Sequence, residues 1–259
     1  MTNLEYLTQV LAKYAARDLN NYVIQIALLK KNLRDWAGDC LIGILDSGSR
    51  AKRTAISMAS DVDYLVSLNS TCNENNGGLK GIYDSLHQVL KQKYGVVRQQ
   101  NVSFRIDLNG LEVDITPARK HSGNTNDHWL YVSKKTTWRQ TNIQKHITDI
   151  SGSNRTNEIK LLKIWRELNK VDFPSIYMEY LILNSLSGKS TSLANLENNF
   201  YFLLTELSKD VGNPLNGRID DPANSTNILS DLLTDAEKKL IIAKGKASIA
   251  TADWKKMVW

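Results

Sequence analysis

The sequence predicts an α+β fold in which a mixed sheet comes first and a helical lobe follows. Residues 41–46 and 61–68 are apolar runs with the length and flanking turns of strands, and the first of them is expected to be a buried strand. Two further alternating runs meet at Asn109-Gly110, a residue pair typical of a two-residue β-hairpin turn. Beyond about residue 150 the apolar residues recur at helical spacing only. Strands are therefore expected in the first part of the chain and helices in the second.

The other elements are predicted from helical spacing and from turn-forming residues. Residues 2–36 predict one helix, or two helices with a break near Asn20-Asn21. Residues 80–94 predict a helix that ends at Gly95, which suits a C-cap. Residues 123–144 show no clean period and are predicted to be a loop with short elements. The helices predicted in the C-terminal part are 154–169, 175–186, 192–208 and 234–250.

The composition is that of an ordinary globular protein without membrane or secretion signals. Of the 259 residues, 42% are hydrophobic and 23% are charged, which allows a sizeable core. The chain has no run of about 18 apolar residues, and its first residues lack the basic and apolar blocks of a signal peptide. We therefore expect a cytoplasmic protein that does not associate with membranes. Cys40 and Cys72 form no C-x-x-C pattern and are expected to be reduced thiols.

The net charge of the chain points towards a polyanionic ligand. The formal charge is +6 and the pI is about 9.1. A basic surface concentrates phosphates by long-range attraction. A nucleoside triphosphate would satisfy this excess as well as RNA or DNA would, so composition alone leaves both classes of ligand open.

Two carboxylates stand close together in the second predicted strand. Asp61 and Asp63 are separated by one residue, and alternate residues of a strand point to the same face. Two acids directed at one point repel each other unless a cation lies between them. Mg²⁺ is a hard cation that binds one or two carboxylates and takes water and substrate phosphate as its other ligands. The pair therefore predicts a site for Mg²⁺ or Mn²⁺.

The hairpin and the turn before the acid pair complete a candidate site for phosphoryl chemistry. Asp114 lies on the polar face of the second hairpin arm, and three acids around two Mg²⁺ ions suit in-line attack on phosphorus. The Gly48-Ser49 turn lets backbone N–H groups approach an anion closely, because glycine has no Cβ. Arg53 lies in the basic loop that follows this turn. These residues predict nucleotidyl transfer from a nucleoside triphosphate.

At these positions the sequence resembles the cGAS/DncV-like nucleotidyltransferases of the DNA polymerase β superfamily, relatives of oligoadenylate synthetase and cyclic GMP-AMP synthase. The chain departs from the family pattern at Ile143, where proline is usual, and at Ile176, where an aromatic residue is usual. The matching segments are Gly48-Ser49, Arg53-Thr54-Ala55, Ser60-Asp61-Val62-Asp63, Val113-Asp114 with Pro117, Trp138 with Thr141 and His146, Leu162-Lys163-Ile164-Trp165, and Pro174-Ser175 with Glu179.

The resemblance implies a polymerase β-like nucleotidyltransferase core over residues 1–150, a helical lobe over residues 151–259 and an active site in the cleft between them. It implies that Asp61, Asp63 and Asp114 hold the metal ions, and that Asp114 also activates the acceptor hydroxyl. Gly48 and Ser49 would bind the β and γ phosphates. Lys163 and Ser175 would reach the triphosphate from the helical lobe, and Arg53 would lie beside it. The implied product is a cyclic di- or oligonucleotide signal in bacterial antiphage defence.

Three alternatives stay open on the sequence alone. An RNA acceptor, such as a tRNA 3′ end, would suit the basic charge and would bind less tightly as salt increases. A toxin-like transferase would modify tRNA or a protein. A nucleotide-sensing module would keep the fold with a dormant site. The sequence does not specify the nucleobase, the acceptor or the oligomeric state.

Overall fold

The computed structural model describes residues 1–59, 62–73, 75–123 and 125–259, and it has the α+β architecture that the sequence predicts. Its helices are α1 Asn3–Lys13, α2 Val23–Ala37, α3 Gly48–Ala51, α4 Gly78–Tyr94, α5 Ile143–Ser151, α6 Thr156–Asn169, α7 Ser175–Ser185, α8 Leu196–Leu207, α9 Asp235–Thr251 and α10 Trp254–Met257. Its strands are β1 Leu41–Ser47, β2 Val62–Leu68, β3 Arg98–Gln99, β4 Phe104–Asp107, β5 Glu112–Lys120, β6 His128–Val132, β7 Thr137–Thr141, β8 Asp220–Asp221 and β9 Asn224–Ile228.

The chain forms two compact units that alternate along the sequence. The helical unit consists of Met1–Arg17, Arg53–Ser60 and Thr148–Trp259, and the sheet unit consists of Asp18–Lys52 and Asp61–Ile147. The first and second segments of the helical unit join it because Leu7 and Ile56 are buried in its core. The expected division into 1–150 and 151–259, with a cleft between the two parts, stays a prediction.

A mixed sheet organises the sheet unit. Its strands lie in the order β1-β2-β5-β4-β3, and β6 pairs with both β5 and β7. β2 and β5 run parallel, whereas β4 and β5 form the predicted antiparallel hairpin. Asn109 and Gly110 have φ values of 56° and 87°, the positive values that a type I′ turn requires. The turn is tight, so it fixes the register of β5 on β4.

The core of the sheet unit places Asp63 at the end of a buried strand. Leu33 of α2 and Leu86 of α4 are fully buried in one cluster with the apolar residues of β2, β4 and β5. Burial of such a side chain contributes about 1.5–3 kcal/mol relative to its exposure to water. Every residue of β2 from Tyr64 to Leu68 is buried, and Asp63 is partly exposed. The start of β2 is therefore where this strand can present a carboxylate to a ligand.

The expectation that residues 41–46 form a buried strand is wrong. Among the described residues, β1 pairs with β2 alone. Ile42 and Leu45 of β1 are 52% and 41% exposed. An apolar run predicts a strand, but its periodicity does not distinguish a central strand from an edge strand. β1 is an edge strand with two exposed apolar side chains.

Strands also occur in two places where loops or helices were expected. β6 and β7 form an antiparallel hairpin within residues 123–144. Alternate residues of β6 are buried, but its aromatic and histidine side chains obscure this period in the sequence. β8 and β9 form a short antiparallel pair, so the expectation that strands stop near residue 150 is wrong. β8 has two residues, too few to show a period.

The helical unit has its own core around α6, α7 and α8. Trp165, Tyr177 and Phe200 are fully buried in it. The predicted helix 234–250 is α9, and it begins with a capping box in which Thr234 and Glu237 exchange side chain to backbone hydrogen bonds. In the part of the chain that the structure describes, no helix is long and apolar enough to cross a membrane. The cytoplasmic location stays a prediction.

The expectation of two reduced thiols is wrong, because the structure joins Cys40 and Cys72 in a disulfide. β1 and β2 are antiparallel, with Leu41 opposite Leu68. The cysteines flank these paired ends, and their Cα atoms are 5.5 Å apart. Their separation of 32 residues hides this proximity in the sequence. The disulfide lies at the end of the β1-β2 pair opposite to Asp63.

Replacing both cysteines by serine is expected to lower the free energy of unfolding by about 3–4 kcal/mol, because a cross-link over a loop of this length restricts the unfolded chain. Urea denaturation of the oxidised wild type and of the Cys40→Ser, Cys72→Ser double variant measures the difference. A reducing agent should destabilise the wild type by a similar amount and leave the double variant unchanged. Equal midpoints for oxidised and reduced wild type would contradict this expectation.

Candidate active site

Asp63 and Asp114 lie side by side in the sheet unit. In the parallel pair of β2 and β5, Asp63 is the register partner of Asp114. Register partners on neighbouring strands direct their side chains to the same face of a sheet, so the two carboxylates share one face. Both residues are partly exposed. The structure thus brings together two of the three predicted acids. The third, Asp61, lies outside the described residues.

The Gly48 turn lies directly against Asp63. β1 ends at Ser47, the register partner of Asp63. Gly48 begins the short helix α3 with a φ of 62°. A Cβ added to Gly48 would lie 1.8 Å from Oδ2 of Asp63. Glycine is therefore required both for the left-handed backbone and for the space that the carboxylate occupies. Ser49 follows in α3, so the predicted phosphate-binding turn adjoins the acid.

Asp114 is held by donors from β4 and from the segment that precedes it. Arg105, its register partner on β4, donates from Nε to Oδ1 at 2.8 Å and from Nη2 to Oδ2 at 2.7 Å. Gln100 donates from Nε2 to Oδ1 at 3.0 Å. Nη1 of Arg105 donates to Oε2 of Glu112 at 2.7 Å. One guanidinium group therefore contacts two carboxylates on β5 and offsets part of their charge.

The donors in this part of the sheet unit suit a hard divalent cation. Asp63 and Asp114 offer carboxylate oxygens from adjacent strands, the type of ligand that Mg²⁺ prefers. Within residues 1–59, 62–73, 75–123 and 125–259, no group of three or more His, Cys, Asp or Glu side chains is placed to hold a metal ion. A third carboxylate would come from Asp61, so the three-acid centre stays a prediction.

Arg53 belongs to the helical unit and has an unusual backbone conformation. Its φ is 60°, in the left-handed region that residues other than glycine rarely adopt, and it is exposed. The next residue, Thr54, is fully buried and anchors the segment. Backbone strain of this kind concentrates at ligand-binding sites. The contact of Arg53 with a triphosphate stays a prediction, and this conformation favours it.

Lys163 lies in a buried ion pair of the helical unit. Its Nζ donates to Oε1 of Glu179 and to Oγ1 of Thr54, both at 2.8 Å. The side chains of Lys163 and Glu179 are 3% and 0% exposed. Thr54 also donates to Glu179 at 3.2 Å. These contacts fasten the segment after Arg53 to α6 and α7. They give Lys163 a structural role, and its contact with a triphosphate stays a prediction.

Ser175 is the first residue of α7, and Pro174 is the N-cap. Its Oγ accepts a hydrogen bond from Nη1 of Arg166 at 2.9 Å, and the same nitrogen donates to the carbonyl oxygen of Phe173. The N-terminus of a helix attracts anions through its N–H groups, and a guanidinium group nearby adds positive charge. The contact of Ser175 with a phosphate stays a prediction that this position suits.

Sequence reasoning did not identify Arg105 and Gln100 as partners of Asp114. The sequence does indicate that Arg105 lies opposite Asp114, because a two-residue turn at Asn109-Gly110 pairs each residue of β4 with a fixed residue of β5. Gln100 has no such signal, since it reaches Asp114 from outside the hairpin. The bond between Lys163 and Glu179 likewise depends on the packing of α6 against α7, which no local pattern specifies.

The chain is similar to one protein family and to individual bacterial enzymes. Residues 1–154 match the family described as Second Messenger Oligonucleotide or Dinucleotide Synthetase domain. The CBASS oligonucleotide cyclase CdnC of Escherichia coli (strain KTE188) is 25% identical over 258 residues, which covers 88% of this chain and 82% of that protein. The cyclic AMP-AMP-AMP synthase of Escherichia coli (strain MS 115-1) is 26% identical over 227 residues, which covers 79% of this chain and 69% of that protein.

The fold is similar to that of a solved structure. E. coli MS115-1 CdnC, solved with ATP, has a TM-score of 0.71 at 21% sequence identity. The match covers 95% of this chain and 90% of that chain. The same CdnC was also solved as a complex with HORMA-deltaN. At this level of identity the similarity shows that the two chains share a fold.

Gly48→Ala is expected to weaken the binding of ATP with Mg²⁺ by at least about tenfold, because the new Cβ would displace the Asp63 carboxylate. Isothermal titration calorimetry measures the affinity. Gly110→Ala is the matched control, since Gly110 also has a positive φ but an added Cβ there meets nothing within 4 Å. That control should lose about 1–2 kcal/mol of stability and keep its affinity. Equal affinities for Gly48→Ala and wild type would contradict the prediction.

Lys163→Met is expected to lower the free energy of unfolding by about 3–5 kcal/mol, because it leaves the buried Glu179 carboxylate without its cation. Adding Glu179→Gln should restore most of this loss, since the amide carries no charge. Urea denaturation measures both variants. Lys31→Met is the control, because its ion pair with Asp35 is exposed and should contribute little. A double variant as unstable as Lys163→Met would contradict the assignment of a buried ion pair.

Proposed function

The chain belongs to the family of Second Messenger Oligonucleotide or Dinucleotide Synthetase domains, and we propose that it joins nucleoside triphosphates into a cyclic di- or oligonucleotide signal. Membership confirms the predicted resemblance to the cGAS/DncV-like nucleotidyltransferases, and the chain is a nucleotidyltransferase. The observation that carries the proposal is the register of Asp63 beside Asp114, with Gly48 packed against Asp63. This arrangement supports a metal-dependent transfer that releases pyrophosphate.

The acids of the sheet unit supply the metal ligands in this proposal. Asp63 and Asp114, with Asp61, would hold Mg²⁺ or Mn²⁺. A metal bound there supplies positive charge that lowers the pKa of the acceptor hydroxyl and neutralises the leaving phosphates. Gly48 and Ser49 would bind the β and γ phosphates through backbone N–H groups. Asp114 would accept the proton of the acceptor hydroxyl. The hydroxyl oxygen would bond to the α phosphorus as the bond from phosphorus to pyrophosphate breaks.

Three residues of the helical unit are proposed as further contacts of the triphosphate. Arg53 is exposed and held in a left-handed conformation, which supports a ligand contact. Ser175 is supported by its place at the N-terminus of α7. Lys163 would have to share its ammonium group between Glu179 and a phosphate, because the ion pair is buried. Of the three, Lys163 has the weakest structural support.

The relatives support ATP as one substrate and antiphage signalling as the setting. One relative is a cyclic AMP-AMP-AMP synthase, and another is a CBASS oligonucleotide cyclase. E. coli CdnC was solved with ATP and with HORMA-deltaN. We extend ATP to this chain as a substrate and a HORMA protein as a class of partner. An RNA or protein acceptor is a separate outcome of the test below.

Incubation of the purified protein with labelled nucleoside triphosphates and Mg²⁺ or Mn²⁺, with and without tRNA, tests the proposal. A cyclic product has no terminal phosphate, so the expected result is a small labelled product that resists phosphatase and is cleaved by phosphodiesterase. This product should form without RNA. Label that appears only on RNA or on a protein would contradict the proposal and support a transferase with a macromolecular acceptor.

The same assay tests the roles of the acids. Asp63→Asn and Asp114→Asn are each expected to lower product formation by at least roughly 100-fold. Each would remove a carboxylate ligand of the metal ion whose positive charge stabilises the transition state. Asp84→Asn is the matched control, a half-exposed acid on α4 that should leave the rate unchanged. Unaltered product formation by an Asp63→Asn, Asp114→Asn double variant would exclude both residues from catalysis.

A further inference from the structure

A row of charged side chains crosses the sheet unit on the face that carries the two acids. Asp63 of β2 is opposite Asp114 of β5, and Asp114 is opposite Arg105 of β4. Arg105 is in turn opposite Arg98 of β3. Register partners share a face, so two acids and two arginines lie in sequence across four strands. Asp114 is therefore placed between another acid and a cation.

Arg105 binds Asp114 through two hydrogen bonds. Its Nε and Nη2 donate to the two oxygens of Asp114 at 2.8 Å and 2.7 Å. The side chains of Arg105 and Asp114 are 20% and 13% exposed, so water competes little for these bonds. A bidentate pair between guanidinium and carboxylate is both stronger and more directional than a single bond. These two hydrogen bonds fix the plane of the Asp114 carboxylate.

Neighbouring groups hold both partners of this pair in place. Oε1 of Gln100 accepts from the buried Ser103 hydroxyl at 2.9 Å, and its Nε2 donates to Oδ1 of Asp114. Glu112 accepts from the third nitrogen of Arg105. Both oxygens of Asp114 therefore already accept N–H donors. A divalent ion that binds this carboxylate therefore competes with the Arg105 charge for oxygens that already accept N–H donors.

We infer that Arg105 is a positioning residue that competes with divalent ions for Asp114 and so restrains metal binding until a triphosphate brings further ligands. The inference rests on the proposed function, since it takes Asp114 as a metal ligand. The guanidinium group supplies one positive charge at the carboxylate that a metal would use. The nucleotide-free protein therefore binds divalent ions weakly, and the triphosphate oxygens supply the ligands that offset the loss of the Arg105 bonds.

Mn²⁺ binding to the nucleotide-free protein, measured from the electron paramagnetic resonance signal of free Mn²⁺, tests this inference without turnover. Arg105→Gln is expected to raise the affinity about tenfold, since it removes a positive charge beside the metal and the two bonds that hold the carboxylate. Arg98→Gln is the matched control, because it removes the same charge one strand away, and should change the affinity less than about threefold. Adding Asp114→Asn to Arg105→Gln should abolish the gain.

A second variant keeps the inference testable if Arg105→Gln does not fold. Arg105→Lys keeps the positive charge but loses the pair of hydrogen bonds to Asp114, so it should raise the affinity for Mn²⁺ about threefold. Circular dichroism and cooperative unfolding establish that each variant is folded. No gain in Mn²⁺ affinity for either folded Arg105 variant would overturn the inference. If Asp63→Asn still abolished Mn²⁺ binding in that case, the proposed metal site would stand and only the role of Arg105 would be lost.

Discussion

The parallel register of β2 and β5 is the constraint on which the candidate site depends. It places Asp63 directly beside Asp114, and like charges in such positions destabilise a sheet. The structure therefore needs positive charge at this point. Arg105 supplies part of it from β4, and the proposed metal would supply the rest. The two bonds from Arg105 to Asp114 meet this requirement in part.

The fold places Asp63 at the start of β2, where it is the one residue of the strand that is not buried. From Tyr64 onwards β2 is buried, so a charged residue further along the strand would lose its hydration. Gly48 closes the turn after β1 against the Asp63 carboxylate, which no residue with a Cβ could do. The disulfide between Cys40 and Cys72 fastens the opposite end of the same strand pair. The disulfide and the candidate site thus lie at opposite ends of one pair of strands.

The parts of this structure that could be predicted are those set by local patterns. The Asn109-Gly110 turn predicts a hairpin, and its register places Arg105 opposite Asp114. The alternation of a strand places Asp63 on a polar face. The parallel pairing of β2 with β5 is not local, because α4, β3 and β4 lie between them in the chain. The acids could be selected as candidates from the sequence, but their adjacency required the sheet.

Other features depend on long-range packing that no local pattern specifies. The bond between Lys163 and Glu179 forms only when α6 and α7 pack, so no local pattern indicates this buried ion pair. Cys40 and Cys72 meet through the pairing of strands rather than through a motif. β1 was expected to be buried because its residues are apolar, yet the order of strands makes it an edge. In each case the sequence shows the residue type, but it does not show which residue that side chain or strand contacts.

In this proposal Asp63 and Asp114 form one metal centre, and the Asp114 carboxylate is shared between the metal and Arg105. Anomalous scattering from Mn²⁺, in crystals of the protein with a non-hydrolysable ATP analogue, tests it most directly. We expect an anomalous peak within bonding distance of carboxylate oxygens from both residues, with at least one of the two Arg105 bonds to Asp114 lengthened or broken. An analogue bound with no Mn²⁺ peak at these carboxylates, or a peak that leaves Asp114 with Arg105 alone, would contradict it.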